Sequence, residues 1–485
     1  MVSKEFVNNL VSDLKKSAKK AYENNEYNDA LSLISISAAV LYKTNIYYRD
    51  DDLENMLNDI SKELSLHQSN YDSNEAVCLF WDGFGLNDRG LAQIYLKALC
   101  KVKKVIYVTY EDRRNEITDI KSILEENRSV FRFIHRKQSS YLKQISQLQE
   151  IIQEYKPASL FFYSEPDDVV ATPIMYSYEG LLKRVQINLT DHAFWLGAGC
   201  VDTCIEFREY GACVSNHYRN IGNEAIRIIS FYPMIHEERE FQGYPFDVKP
   251  GQKVVFSGGA LYKTFGEDNR YYKIVDRLLA EHEKVIFWYA GSGDDSEMKK
   301  ILRKYPGRAY LTAERSDLFQ VLKHCTFYLS TYPICGGLMY QYAAKAGRVP
   351  VTLKCDECTE GFLINQENLN VEFNDENKMF EEIDKLLNDS TYLLSREKNM
   401  TEAVITPESF DDKVADIFHN CVSSNLYPMI DTTLFRQRYL NTLTEMDVER
   451  TTLKKNSIGV GMKYYPGRFL RGGIYILQKI LLKFL

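Results

Sequence analysis

The chain has 485 residues, 45% of them apolar and 26% charged. That is the balance of an ordinary globular protein, and it excludes disordered, collagenous and polytopic membrane classes. The 60 Lys and Arg against 67 Asp and Glu leave a net charge of −7, so no nucleic-acid partner is expected, since such binders carry a basic face. At this length one core does not suffice and two or three domains are expected.

The ten cysteines are scattered and do not form a disulfide framework. Cys355-x-x-Cys358 has no second pair or nearby His to complete a zinc site, and neither a metal nor a cofactor is expected. The opening MVSKEFVNNLVSDLKKSAKK lacks the apolar core of a signal peptide, and no run nears the roughly 18–20 apolar residues that span a bilayer. These features predict a reduced, cytoplasmic protein.

Residues 1–70 predict two or three helices. The stretch from Ala21 to Leu31 has the spacing of one tetratricopeptide hairpin, but a solenoid needs about three copies, so a small helical cap is expected. Over 71–240, apolar runs at 76–80, 105–109, 130–134, 159–163 and 184–189 alternate with helical stretches, and the last run closes the series. A linker-like segment from Phe241 follows. Over 241–440 a second series has strands at 253–256, 284–289, 309–311, 326–330 and 349–353. Its helices are expected at about 269–282, 294–303, 316–324 and 337–346. Such alternation predicts parallel βαβ units: an α/β protein of two Rossmann-like, doubly wound domains facing a cleft, with ligands at the carboxyl ends of the strands. Residues 441–485 form a basic amphipathic tail.

Two strand-to-helix junctions in the second series suit an anion. Gly258 and Gly259 let the backbone approach a phosphate, and Lys263 can neutralise it; the alternative is a glycine turn beside a solvated lysine. Gly336 and Gly337 place backbone N–H groups at a helix start. The spacing matches neither a Walker A loop nor GxGxxG.

The stretches Leu261-Tyr262-Lys263, Ser330-Thr331-Tyr332-Pro333-Ile334-Cys335-Gly336-Gly337 and Ala346-Gly347-Arg348-Val349-Pro350-Val351-Thr352 resemble the nucleotide-sugar half of two-domain (GT-B) glycosyltransferases. The likeness is to the O-linked N-acetylglucosamine transferases and their bacterial adhesin-glucosylating relatives, and it covers roughly residues 250–355. It implies a UDP-sugar held by Gly258, Gly259, Lys263, Arg315, Pro333, Gly336 and Gly337, with the lysine on the diphosphate. The chain departs from that family where a Thr pair and a ribose-binding Asp are usual: Leu338-Met339-Tyr340-Gln341-Tyr342 stands there. The Glu-x7-Glu pair of retaining enzymes is also absent, which favours inversion.

An inverting transferase needs a base near neutrality for the acceptor hydroxyl. His192, at the end of the 184–189 run, is the candidate, with Asp191 as its orienter or as the base itself; the alternative is a capping pair before a helix. Asp88 and Arg89 in a Gly-rich loop are candidate acceptor-side contacts, as is Arg208, which could instead pair with Glu206. From 451 to 485 there are seven basic residues and no acidic one. An apolar helix expected from Gly473 would be about 18 Å long, too short to span a bilayer. It suits an anionic membrane surface or packing on the protein itself.

The resemblance thus implies transfer of a sugar from a UDP-sugar to a hydroxyl of a glycan, lipid-linked glycan or protein in bacterial surface polysaccharide or glycoprotein assembly. The alternative is a non-catalytic, transferase-like subunit that stabilises an active enzyme.

Overall fold

The computed structural model describes residues 2–481 apart from 65, 67–70, 86–90, 138, 236–238, 356–360, 420–424 and 454–457, and not the side chains of 114–116, 267 and 475–481. The chain divides into two compact units, Met1–Ile229 with Asp411–Leu485, and Ser230–Phe410. Residues 411–440, expected with the later domain, therefore belong to the first.

The first unit is built on seven strands: β1 (Asn74–Asp82), β2 (Lys104–Tyr110), β3 (Val130–Ile134), β4 (Pro157–Tyr163), β5 (Lys183–Ile187), β6 (Thr203–Glu206) and β7 (Ile226–Ile228). Their order is β3-β2-β1-β4-β5-β6-β7, and every pairing is parallel. Strands buried on both faces read as continuous apolar runs, as Val77–Trp81 does. The expected closure of the series after 184–189 is corrected: β6 and β7 follow. At four and three residues they are too short to announce themselves by periodicity.

The N-terminal region forms helices Lys4–Glu23, Tyr27–Thr44 and Asp51–Glu63. Ser3 and Asp50 cap the first and third through their side chains. The middle helix is buried almost all round, from Ala30 to Leu41, as a helix apolar on every side must be. One continuous core joins Leu31, Ile34 and Val40 to Leu79, Trp81 and Phe162 of the sheet and to Leu440 and Val448 of the returning chain. These helices are thus part of the first unit's interior rather than a cap set on it.

The tail forms helices Glu445–Thr451, Ile458–Tyr464 and Pro466–Leu481. The last begins seven residues before the expected Gly473. Phe469 packs on the core, Lys463 pairs with Glu26 and Asp29, Arg468 with Asp13 and Glu449, and Arg471 with Glu449. Among the described residues no helix is long and apolar enough to cross a membrane.

The second unit contains β8 (Lys253–Gly258), β9 (Val285–Ala290), β10 (Ala309–Thr312), β11 (Phe327–Leu329), β12 (Pro350–Leu353) and β13 (Glu372–Phe373), in the order β10-β9-β8-β11-β12-β13. All pairings are again parallel. The expected helices are present as Arg270–Glu281, Ser296–Lys304, Leu318–Lys323 and Gly337–Lys345. The linker-like segment packs closely on this unit: Phe241 stacks on His324 with centroids 4.0 Å apart, and Phe246 on Tyr310 at 4.3 Å.

The central strand β1 ends in a buried acid. Asp82 Oδ2 accepts from Tyr107 Oη at 2.6 Å and Oδ1 from the Gly85 N–H at 2.7 Å. Burial nonetheless pushes its pKa up to about 6. The folded protein therefore keeps a proton that the unfolded chain, with an ordinary carboxyl near 4, has already released. The resulting stability is complete below about pH 4 and is lost as pH rises through about 6. Asp82→Asn should accordingly be more stable than the wild type at pH 8 by about 2–3 kcal/mol and nearly equal to it at pH 4. Urea denaturation at the two pH values measures this; equal differences at both would contradict it.

Candidate functional site

In the second unit the strand order reverses between β8 and β11. The loops leaving the carboxyl ends of those two strands part there, which is where open α/β sheets take ligands. The loop after β8 turns through Leu261–Thr264, and the loop after β11 leads into the Gly337–Lys345 helix. The two are joined: the Ile334 N–H donates to the Lys263 carbonyl at 3.3 Å. A Cβ built on Gly336 would lie 3.6 Å from Lys263 Nζ, and one on Gly266 would lie 3.3 Å from Pro333 Cγ. The structure thus brings Lys263, Pro333, Gly336 and Gly337 together. A half-buried ammonium stands beside the first, unpaired turn of a helix, where partial positive charge collects.

The glycines have separate reasons. Gly259 adopts φ +121°, a conformation that side chains disfavour, and a Cβ there would meet nothing within 4 Å. Gly258 is confined by the Ala290 carbonyl, 2.9 Å from a hypothetical Cβ. Gly337 lies against Phe362, whose ring a Cβ would overlap. Gly258 and Gly337 therefore secure close packing, whereas Gly259 supplies the positive-φ turn, its N–H donating to the Ala290 carbonyl at 3.0 Å and its own carbonyl accepting from Tyr289 Oη at 3.1 Å.

Arg315 stands differently from expectation. Its guanidinium makes a two-pronged pair with buried Asp317, both bonds 2.7 Å, donates to the Gly243 carbonyl at 3.2 Å and lies over the Trp288 ring. Asp317 also accepts from the Gln242 N–H at 2.8 Å. This fork fastens the segment entering the second unit, and a ligand would have to compete with Asp317 for it. At the positions departing from the family pattern, Gln341 donates to the Phe231 and Phe362 carbonyls at 2.8 and 3.0 Å, and Tyr342 to that of Met234 at 2.5 Å. Tyr340 is fully buried. These three serve packing, so the sequence's missing ribose acid is not replaced by any of them.

In the first unit, Asp191 and His192 follow β5. No helix begins after them: turns run to β6, which removes the capping alternative. Asp191 is fully buried; its Oδ2 accepts from Arg208 Nε at 2.6 Å, and its Oδ1 lies 3.0 Å from His192 Nδ1. Burial opposes its charge, but the Arg208 guanidinium and the imidazole outweigh burial and hold its pKa well below the usual carboxylate range. An ionised carboxylate only accepts, so Nδ1 of His192 carries a proton and donates to it. The imidazole is 27% exposed, and Phe435 and Tyr439 flank it at centroid distances of 5.9 and 6.3 Å.

Arg208, the expected acceptor-side contact, is buried, 3% exposed, and its Nε donates to Asp191. Glu206 carries a carboxylate two residues upstream. That carboxylate, ending β6, accepts from Asn188 Nδ2 at 2.8 Å and from Ser215. Burial pushes its pKa up to about 7, against the opposing pull of Arg219. Asp88 and Arg89 lie outside the described residues.

Several contributors carry no signal in the sequence. Phe435 and Tyr439 come from helix Thr433–Asn441, more than 240 residues downstream of His192. Arg219 is fully buried and donates to the carbonyls of Thr190, Asp191 and Ala193. Only the return of the chain at Asp411 brings Phe435 and Tyr439 to the β5 loop.

No family model matches the sequence, and no curated protein matches it. Solved structures do. An O-GlcNAc transferase mutant from Thermobaculum terrenum is 12% identical, with 90% of this chain and 83% of that one covered and a TM-score of 0.50. A glycosyltransferase from Rickettsia africae is 10% identical over 79% of this chain and 100% of that one, with a TM-score of 0.46. A UDP-GlcNAc 2-epimerase from Neisseria meningitidis is 12% identical over 71% and 99%, also with a TM-score of 0.46. At these identities the likeness is one of fold, and the first of the three carries it: the chain has the α/β architecture of two parallel sheets found in that O-GlcNAc transferase.

Proposed function

We propose that the protein is a glycosyltransferase that moves a sugar from a UDP-sugar to a hydroxyl of a glycan, lipid-linked glycan or protein acceptor, in bacterial surface polysaccharide or glycoprotein assembly. The observation that carries this reading is the meeting of Lys263 with Gly336 at the strand reversal of the second unit. A diphosphate is the leaving group that such a corner suits. A lysine about 4 Å from a phosphate contributes on the order of 4 kcal/mol before desolvation at an effective dielectric near 20, and the helix start adds fixed dipoles that need no reorganisation during reaction.

In this reading the acceptor oxygen attacks the anomeric carbon as the bond from that carbon to the diphosphate breaks, and UDP departs. The acceptor proton passes to Nε2 of His192. Asp191 keeps the imidazole in the tautomer that can receive it and stabilises the imidazolium that forms. Arg208 keeps Asp191 ionised. A single displacement with such a base inverts the anomeric centre, consistent with the missing Glu-x7-Glu pair, and the reading includes no metal. We also read the basic tail as a peripheral contact with anionic lipid, supported by exposed Leu470 and Ile474 and by its charge in sequence, although its Lys463, Arg468 and Arg471 already pair with acids of the first unit.

Lys263→Ala should weaken UDP binding about 100-fold, roughly 2.7 kcal/mol, in calorimetry; unchanged affinity would remove Lys263 from the site. His192→Ala should leave UDP affinity as it is and lower kcat by about 10²–10⁴-fold with an accepted UDP-sugar. UDP binding without turnover of any donor, together with tight association with a second transferase, would favour the non-catalytic subunit. Flotation with vesicles containing anionic lipid should recover the full chain and not one lacking 451–485; equal recovery would refute the lipid contact.

A further inference from the structure

The loop carrying His192 has no regular secondary structure, yet from Thr190 to Ala193 every main-chain carbonyl is held by a side chain from elsewhere. Buried Arg219 donates to the carbonyls of Thr190 (3.2 Å), Asp191 (2.8 Å) and Ala193 (2.6 Å). The one carbonyl of this run that Arg219 leaves, that of His192 itself, accepts from Asn45 Nδ2 at 2.6 Å. Further along, the Gly197 N–H donates to Glu54 Oε1 at 2.8 Å, and the other oxygen of Glu54 accepts from Tyr176 at 2.5 Å.

Asn45 is built for this contact. It ends helix Tyr27–Thr44 in the left-handed conformation, φ 48° and ψ 36°, with its N–H on the Leu41 carbonyl at 2.7 Å. Asparagine tolerates that conformation better than most residues, and here it aims the amide out of the helix end. The side chain is fully buried. Arg49, four residues on, donates to the Arg219 carbonyl at 2.8 Å, and Arg436 of the returning chain donates to that of Ile46 at 3.1 Å. The N-terminal helices thus grip the His192 loop both directly and through Arg219.

We propose that Asn45 is a positioning residue for His192: by holding the histidine's own carbonyl it fixes the backbone rotation that presents Nδ1 to Asp191 and keeps Nε2 turned away from it. This rests on the reading of His192 as the base only for its effect on turnover; the orientation of the ring is a structural claim that stands apart. Loss of the bond frees the peptide between His192 and Ala193, and displacement of a catalytic group by about 1 Å costs on the order of 10²-fold in rate.

The test uses the full chain labelled at histidine with ¹³C and ¹⁵N, with His192 assigned through His192→Gln. In the wild type, His192 should show a single tautomer protonated at Nδ1; a mixture of tautomers would overturn the proposal. Asn45→Gly keeps the left-handed backbone and removes the amide. Asn45→Asp keeps the shape but replaces the donor with an acceptor. In either folded variant the His192 signals should move toward those of a free imidazole. With an accepted donor, kcat should fall about 10–100-fold with the donor KM within about twofold of the wild type. Unmoved His192 signals in a folded variant would refute the role. Signals that move while turnover is indifferent to His192→Ala would leave Asn45 as the positioner and remove His192 as the base.

Discussion

A parallel sheet whose strand order reverses cannot cover the point of reversal. Right-handed crossovers send the helices on either side of that point to opposite faces, so the loops leaving the two strands separate and leave their backbone groups open. In the second unit those strands are β8 and β11, and the residues at the parting are Lys263 and Gly336. In the first unit they are β1 and β4, and the parting is lined instead by acids. Asp82 is tied to Tyr107 and Gly85, and Asp168 is tied to the Trp81 indole at 2.7 Å and to the N–H groups of Val170 and Ala171. The same topology thus yields a corner suited to anions in one unit and a buried acidic seam in the other. The difference lies in which side chains stand at the carboxyl ends of the two strands that flank the reversal.

The buried charges beside His192 form one connected set. Asp191, Arg208, Glu206 and Arg219 are each at most 3% exposed. Charges taken out of water are tolerated only when paired with good geometry, and removing one partner from such a pair costs about 3–5 kcal/mol because the other is left uncompensated. Asp191 has two cationic or donor partners and stays ionised. Glu206 has mainly neutral donors, and among the described residues its second oxygen has none. Two carboxyl groups on neighbouring strand ends are thereby driven apart in proton affinity, one well below and one above the ordinary range.

Long apolar strands and the helices between them were legible in the sequence because burial on both faces leaves continuous runs such as Val285–Ala290. The short strands β6, β7 and β13 were not, since Thr203 and Glu206, Arg227 and Glu372 break their apolar runs, whereas the equally short β11, Phe327–Leu329, is apolar throughout. The meeting of Lys263 with the Gly336 loop could be anticipated because each follows a strand that flanks the reversal. Arg208 and Arg315 show the opposite case. A basic residue near a candidate site looks like a ligand contact in one dimension, and only three dimensions reveal that Asp317 takes both prongs of Arg315 and that Asp191 takes the Nε of Arg208. Asn45 and Arg219 escaped notice for a related reason: their partners are main-chain carbonyls, which every residue has, so no residue type marks the far end of the bond.

The first unit is assembled from two stretches of chain, and the second lies between them in sequence, joined at Ile229–Ser230 and at Phe410–Asp411. Topologically the second unit is an insertion with two seams. Grafting a different module into this framework would therefore require both joints to be respected. A simple head-to-tail exchange would strip the histidine loop of Phe435 and Tyr439, leaving the recipient half without its aromatic wall.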